Sequence, residues 1–295
     1  MTMDVERIAA CSPMGGPPDW DFAERSVRSY CELLKGHGFK VTLFIVPDTA
    51  EKQAGLFREL ADSTGAELGM HMHPQCWRDH YLNPDDHEYL GGYSGIDQYR
   101  ILEEGMSQWE YAIGHQPKAF RGGNFSANDE TFGVLVDLGF KHGSVSQPGR
   151  TVTKFRASRP DAVWDVHRPH RSFRCAEGNL DFVEEIPLTS DRSRSDHWTG
   201  VGDVRLENAS SEQIVSAASQ EVTRQVEESV PLKHVCILTH NFVNYWSQDA
   251  LKENRLDVLK RALEGFDHMA ENFGLEVRGA TTADIRKAYL ETERG

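Results

Sequence analysis

Apolar and polar residues alternate with a period of two over residues 66–74, which predicts a strand that Pro74 ends. Residues two apart on a strand share a face, so His71 and His73 are expected to point the same way from its carboxyl end. Two imidazoles on one face can be two parts of a metal site, because neutral imidazole is a common zinc ligand. The alternative is a surface strand that happens to carry two histidines.

Strand-like and helix-like patterns alternate along most of the chain. Residues 41–47 form a continuous apolar run rich in β-branched residues, as expected of a buried parallel strand. Residues 249–273 repeat apolar positions at helical spacing. About seven such strand–helix units predict an α/β fold, with a parallel sheet wrapped in helices. We expect one barrel-like domain that spans residues 1–295.

Composition and charge exclude several classes of protein. The 295 residues carry a formal net charge of −14, whereas a nucleic-acid-binding surface needs clustered Lys and Arg. No apolar run approaches the roughly 20 residues that span a bilayer, and no signal peptide is visible. The five cysteines are scattered and include no Cys-x-x-Cys pair, which favours a reducing compartment. We therefore expect a cytoplasmic protein with no nucleic-acid partner and no membrane segment.

Polar side chains follow the predicted ends of four separate strands: Asp4 with Glu6, His71 with His73, Arg121, and His240. In a parallel barrel these ends converge on one rim, where active sites gather. One carboxylate and two histidines satisfy a catalytic zinc site with an open position for water, and bound zinc lowers the pKa of that water. A second carboxylate, a histidine and an arginine can act as base, acid and orienting group. The set predicts metal-assisted hydrolysis of an amide or ester.

These motifs, in this order, resemble the polysaccharide deacetylase family (carbohydrate esterase family 4). Thr-Met-Asp-Val-Glu at residues 2–6 resembles the first family motif, and Glu-Leu-Gly-Met-His-Met-His-Pro at residues 67–74 resembles the second. Phe-Arg-Gly-Gly-Asn at residues 120–124 resembles the third, Glu-Ile-Pro at residues 185–187 a later strand, and Ile-Leu-Thr-His at residues 237–240 the last motif. The resemblance implies a distorted (β/α)7 barrel with a parallel strand core and an active site at the carboxyl ends of its strands.

The resemblance also implies roles for individual residues. It makes Asp4 the general base. Asp4 is also the main alternative to Glu6 as the carboxylate that binds the metal. It makes His240 the general acid and Arg121 an orienting group, and it makes Glu6, His71 and His73 the ligands of a divalent metal, with zinc favoured. The implied reaction removes an acyl group, with acetyl favoured, from an N-acylated sugar or related amide. The implied nucleophile is metal-bound water. Asn124 is a predicted substrate contact, and four aromatic residues could stack on sugar rings: Trp77, Tyr93, Trp198 and Trp246.

Three departures from the family pattern keep other functions open. Val5 separates Asp4 from Glu6, the two histidines are two apart rather than four, with Gln75 at the fourth position, and Gly123-Asn124 replaces Pro-Tyr. One alternative is a cytoplasmic amidohydrolase that acts on a cyclic amide, with or without a metal. The other is a barrel without catalytic activity that binds a glycan or a protein. The expected partner is a carbohydrate or small amide substrate. The sequence leaves the oligomeric state undecided, and a homo-oligomer is one of the alternatives.

Overall fold

The computed structural model describes residues 1–12, 15–77, 89–182, 186–194, 200–247 and 254–294. The strands of these residues are, in chain order, β1 (Thr2–Val5), β2 (Thr42–Ile45), β3 (Glu67–Met72), β4 (Ala119–Gly122), β5 (His142–Gly143), β6 (Thr151–Val152), β7 (Ala157–Ser158), β8 (Pro169–His170), β9 (Phe173–Glu177) and β10 (Leu238–His240). Six of them form one parallel sheet in the order β10-β1-β2-β3-β4-β5. The pairs β6–β7 and β8–β9 are small antiparallel ribbons.

Helices follow most strands of the parallel sheet. Their bounds are α1 (Trp20–Gly36), α2 (Pro47–Lys52), α3 (Ala54–Thr64), α4 (Gly95–Ile113), α5 (Thr131–Asp137), α6 (Ser211–Glu227), α7 (Arg255–Asn272) and α8 (Thr282–Thr292). The alternation of parallel strands and helices confirms the predicted α/β fold. None of the described helices is both long and apolar enough to cross a bilayer.

Residues 186–189 connect the two edges of the parallel sheet. The backbone amides of Ile186 and Leu188 donate to the carbonyl oxygens of Gly143 and Ser146, in and just after β5. The amide of Thr189 donates to the carbonyl oxygen of Cys236, just before β10. This segment therefore lies between β5 and β10, although the sheet formed by the described residues has six strands and is not closed into a barrel. The strand predicted at residues 180–187 includes residues 183–185, which lie outside the described residues.

The two faces of the sheet have different chemistry because successive strand residues point to opposite sides. Met3, Leu43 and Met70 are fully buried and belong to one apolar cluster with residues of the surrounding helices, such as Leu60 and Trp109. The residues that alternate with them on the strands face the interior of the curved sheet. This inner face carries the polar side chains that the sequence singles out.

Strand register sets the inner-face residues side by side. Asp4 on β1 pairs with His240 on β10, and His71 on β3 pairs with Arg121 on β4. Strand β2 lies between β1 and β3, and its Phe44 ring lies 4.3 Å from the Arg121 guanidinium carbon. The guanidinium crosses this ring to reach β1. The fold therefore brings residues from distant parts of the chain to one rim.

Glu67, at the opposite end of β3, ties the last helix to the sheet. Its Oε2 accepts hydrogen bonds from Thr42 Oγ1 (2.9 Å), Thr282 Oγ1 (2.6 Å) and the amide of Ala283 (3.0 Å), and its Oε1 contacts His142 Nε2. Burial alone would raise the pKa of Glu67, but His142 and the other donors outweigh it and lower that pKa. An ionised carboxylate at the start of α8 also suits the helix dipole.

We expect Glu67→Gln to lower the free energy of unfolding by about 2 kcal/mol at pH 7, because charge-assisted hydrogen bonds are lost. The folded-state pKa of Glu67 lies below its ordinary value of 4.5, so this stabilisation is fully present above that value. It is lost as the pH falls through the folded-state pKa. Urea unfolding of both proteins over a pH series measures the difference, and an equal loss at every pH would contradict the account. Glu276→Gln is the matched control, since that carboxylate is exposed.

Candidate active site

Glu6, His71 and His73 form a compact triangle of donor atoms at the carboxyl ends of β1 and β3. The two Nε2 atoms lie 3.1 Å apart, and Glu6 Oε1 lies 3.3 Å from His71 Nε2 and 3.1 Å from His73 Nε2. All three side chains are buried. Bond lengths of about 2.0–2.2 Å in a tetrahedral zinc site place ligand atoms roughly 3.3–3.5 Å apart. The triangle therefore fits one small divalent cation.

Hydrogen bonds behind the triangle orient its members. His71 Nδ1 lies 2.9 Å from the carbonyl oxygen of Arg121, which can only accept, so Nδ1 carries the proton and Nε2 of the neutral ring presents its lone pair. The backbone of Glu6 is held by Asn241, whose Oδ1 accepts from the amide of Glu6 and whose Nδ2 donates to its carbonyl, both at 3.0 Å. Such outer partners are typical of metal-binding side chains.

Asp4 lies beside the triangle and is paired with Arg121. The Nη1 atom of Arg121 donates to Asp4 Oδ1 at 2.7 Å, which leaves Oδ2 at 3.7 Å from His71 Nε2 and 4.0 Å from His240 Nε2. Burial alone would raise the pKa of Asp4. The positive charge of Arg121, then those of the two histidines, outweigh burial and lower the pKa. Asp4 is therefore a carboxylate with one oxygen facing the site.

His240 is oriented by Glu207, a residue that the sequence analysis did not identify. His240 Nδ1 donates to Glu207 Oε1 at 2.6 Å, so Nε2 faces Asp4. Burial alone would lower the pKa of His240, but the charge and hydrogen bond of Glu207, with the charge of Asp4, raise it. The ring of Phe242 stacks on His240 at a centroid distance of 4.9 Å. The pair can supply a proton at Nε2.

These groups face one cavity, whose described lining is Asp4, Glu6, Gly15, His71, His73, Asn124, Phe125, Arg150, Arg205, Leu238, His240 and Phe242. Asn124, whose backbone is left-handed (φ 56°), is part of this lining. Apart from the aromatic residues, the predicted site residues thus lie together at this cavity, with Arg121 directly behind Asp4.

The aromatic residues predicted to stack on sugar are placed differently. Trp77 is buried, and its Nε1 donates to Gln108 at 2.8 Å. Trp246 packs against Phe22. Neither these two nor Tyr93 belongs to the described lining of the cavity, and Trp198 lies outside the described residues. Phe125 and Phe242 line the cavity instead, and the only sequence signal for them is their proximity to the motifs.

Gly123 makes room for the imidazole of His73. A Cβ atom at position 123 would lie 2.3 Å from His73 Nδ1 and 2.4 Å from its Cε1. No real Cβ atom makes such contacts, so a larger residue requires the ring to move. A glycine at position 123 is therefore a steric requirement of the donor triangle.

We expect Gly123→Ala to weaken zinc affinity at least about 10-fold, since the displaced His73 ring no longer completes the triangle. Competition with a chromophoric chelator measures the affinity, and circular dichroism checks the fold. Gly36→Ala is the control, because a Cβ at that helical position meets nothing within 4 Å. An alanine variant with wild-type affinity would exclude His73 as a ligand.

We expect Glu207→Gln to lower the pKa of His240, because a neutral amide stabilises the imidazolium less than a carboxylate does. A proton NMR titration of the His240 ring, assigned with a His240→Gln variant, measures the change. The Asp4 carboxylate still acts on His240 in this variant, so the decrease is expected to be partial. An unchanged His240 pKa would show that Glu207 does not control the charge of the ring.

Comparison with known proteins relates part of the chain to one protein family. Residues 16–143 match the model of the family described as polysaccharide deacetylase. No curated protein matches the chain significantly. The match confirms the predicted resemblance to polysaccharide deacetylases and the predicted class of enzyme, a deacetylase-like hydrolase of amide bonds.

Solved structures with the same fold include a protein assigned as a polysaccharide deacetylase from Mycobacterium smegmatis, with 17% identity and a TM-score of 0.58 over 93% of this chain and 80% of that chain. Another, assigned in the same way, is from Pseudomonas aeruginosa PAO1, with 16% identity and a TM-score of 0.56 over 91% and 74%. The Puue allantoinase has 16% identity and a TM-score of 0.58 over 93% and 76%. At these identities the likeness establishes the fold.

Proposed function

We propose that this protein is a metal-dependent hydrolase that removes an acyl group from an N-acylated sugar or a related amide. Acetyl is the first candidate for the acyl group. The observation that carries the proposal is the triangle of Glu6 Oε1, His71 Nε2 and His73 Nε2, with Asp4 and His240 beside it. The family match supports the reaction type.

We propose zinc as the first candidate for the metal. Glu6, His71 and His73 would hold it, because two imidazoles and one carboxylate suit zinc and leave a coordination position open. The same donor set also accepts cobalt, nickel or iron. When bound, such an ion supplies Lewis acidity, which activates water and polarises a carbonyl group.

In the proposed reaction, Asp4 and His240 divide the proton transfers. Asp4 Oδ2 takes a proton from the water that attacks the carbonyl carbon, while Arg121 keeps the carboxylate ionised. His240 in its imidazolium form donates the Nε2 proton to the nitrogen as the C–N bond breaks, which releases a carboxylic acid and an amine. The pKa of Asp4 is lowered and that of His240 is raised, so both required protonation states coexist over a wide pH range.

The domain organisation and the cellular location are also part of the proposal. We propose one catalytic domain over residues 1–295, because the larger of the two described apolar clusters includes residues from Met3 to Met269. We also propose a cytoplasmic location. Cys11, Cys31 and Cys236 are free thiols, which suits a reducing compartment.

A cyclic-amide hydrolase is the alternative that most needs a test. The same base, acid and cavity could act on an amide within a ring, and the fold is shared with an allantoinase. Ring amides therefore belong in any substrate screen, with and without added metal.

We expect zinc-loaded protein to release acetate from N-acetylated sugars, and His71→Ala/His73→Ala to abolish both bound zinc and acetate release. Asp4→Asn and His240→Gln should reduce the rate about 10²–10⁴-fold with zinc still bound, because each removes one proton-transfer group. Acetate assays, with metal content measured by mass spectrometry, test these expectations. Glu24→Gln on the surface is the control.

Other outcomes would redirect the assignment. Hydrolysis of ring amides without acetate release would favour the cyclic amidase, and the metal-free assay would show whether that reaction uses the triangle. Bound zinc without hydrolysis of either substrate class would favour a binding barrel. A wild-type protein that binds no metal after reloading would exclude the proposed mechanism.

A further inference from the structure

Gln75 is buried against the donor triangle and has no role in the reaction described so far. It lies in the turn Pro74–Cys76 that follows β3, two residues after His73, and its exposed fraction is 6%. Its Nε2 lies 3.1 Å from His73 Nδ1, on the side of the ring that faces away from Glu6. Its Oε1 is buried and has no hydrogen-bond partner among the described residues.

The amide of Gln75 can match either neutral form of His73. A neutral imidazole carries one proton, on Nδ1 or on Nε2. When Nδ1 is bare, the amide nitrogen donates to it, and Nε2–H can donate to Glu6 Oε1 at 3.1 Å. When the proton is on Nδ1, the amide oxygen accepts it after the amide group turns by about 180°, which exchanges the two ends of nearly equal size.

Metal binding selects between these two forms. A ring nitrogen binds a cation only through its lone pair, so coordination by His73 Nε2 requires the proton on Nδ1. The burial of His73, at 5% exposure, keeps water from serving freely as the acceptor. Within the described ranges, the side chain at hydrogen-bond distance from Nδ1 is that of Gln75, which is placed to accept this proton.

We propose that Gln75 is a positioning residue of the metal centre, whose amide oxygen accepts the Nδ1 proton of His73 and so presents His73 Nε2 to the metal. The inference rests on the metal centre in the proposed function and adds to it. It also accounts for Gln at the fourth position after His71: this residue supports the ligand at position 73 and is not itself a ligand. Removing such an outer partner typically weakens metal affinity 10–100-fold.

The test compares zinc affinity in three proteins by chelator competition: wild type, Gln75→Leu and Gln75→Glu. The leucine has a similar volume but no acceptor, and we expect it to weaken affinity about 10–100-fold. The glutamate accepts but does not donate, so it supports only the Nδ1–H form, and we expect affinity at least as tight as wild type. Gln108→Leu is the matched control, because Gln108 binds Trp77 and has no contact with the triangle among the described residues.

Two further measurements separate positioning from a merely structural role. In ¹⁵N-labelled, zinc-loaded wild type, NMR should find the His73 proton on Nδ1, and thermal unfolding of the metal-free proteins reports the stability cost of each variant. Equal affinity for wild type and Gln75→Leu, or weakening of both variants in step with their stability, would overturn the inference. If wild type and variants show the expected affinities but acetate is not released, the positioning role stands and the proposed reaction fails. If wild type binds no zinc, both fail.

Discussion

The buried ion pair between Arg121 and Asp4 is the interaction on which the candidate site depends. Arg121 is fully buried, and its guanidinium lies over Phe44 while Nε donates to the carbonyl oxygen of Ser144. Nη1 donates to both Thr2 Oγ1 and Asp4 Oδ1. A guanidinium without these acceptors would carry a large desolvation cost, and removing one member of a buried pair typically costs about 3–5 kcal/mol. One contact therefore links β4 to β1 and keeps the proposed base ionised.

The two-residue spacing of the histidines works because of where the strand ends. His71 is still paired with β4, whereas His73 lies one residue beyond β3 on the same face. Their rings meet edge to face, at an interplanar angle of 83°, so both Nε2 atoms reach Glu6. This approach requires the space that Gly123 leaves and the outer contact that Gln75 supplies. The change in spacing is thus accompanied by local changes that suit it.

Sequence pattern predicted the parts of the site that depend on local periodicity and on the general behaviour of parallel strands. The alternation around His71 and His73 located a strand end, and the carboxyl-end rule predicted that Asp4, Arg121 and His240 converge. Glu207 was missed because it lies in an irregular region before α6, and only the tertiary fold brings it to His240. Trp77 was a predicted substrate contact on its aromatic character alone, yet aromatic side chains also fill cores. The structure shows Trp77 buried beside Gln108.

The charges at the site determine how a proton would compete with the proposed metal. Asp4 and Glu6 are both buried carboxylates, but only Asp4 is paired with an arginine. Glu6 faces imidazoles, and although burial alone would lower the pKa of His71, the charges of Asp4 and Glu6 raise it. Protonation of His71 would balance the negative charge of Glu6 in the absence of a metal. A divalent cation at the triangle would take over that balance and displace the proton, because metal ligands bind in their deprotonated forms. Acid would then favour the metal-free protein, because protons compete with a metal for the same ring nitrogen.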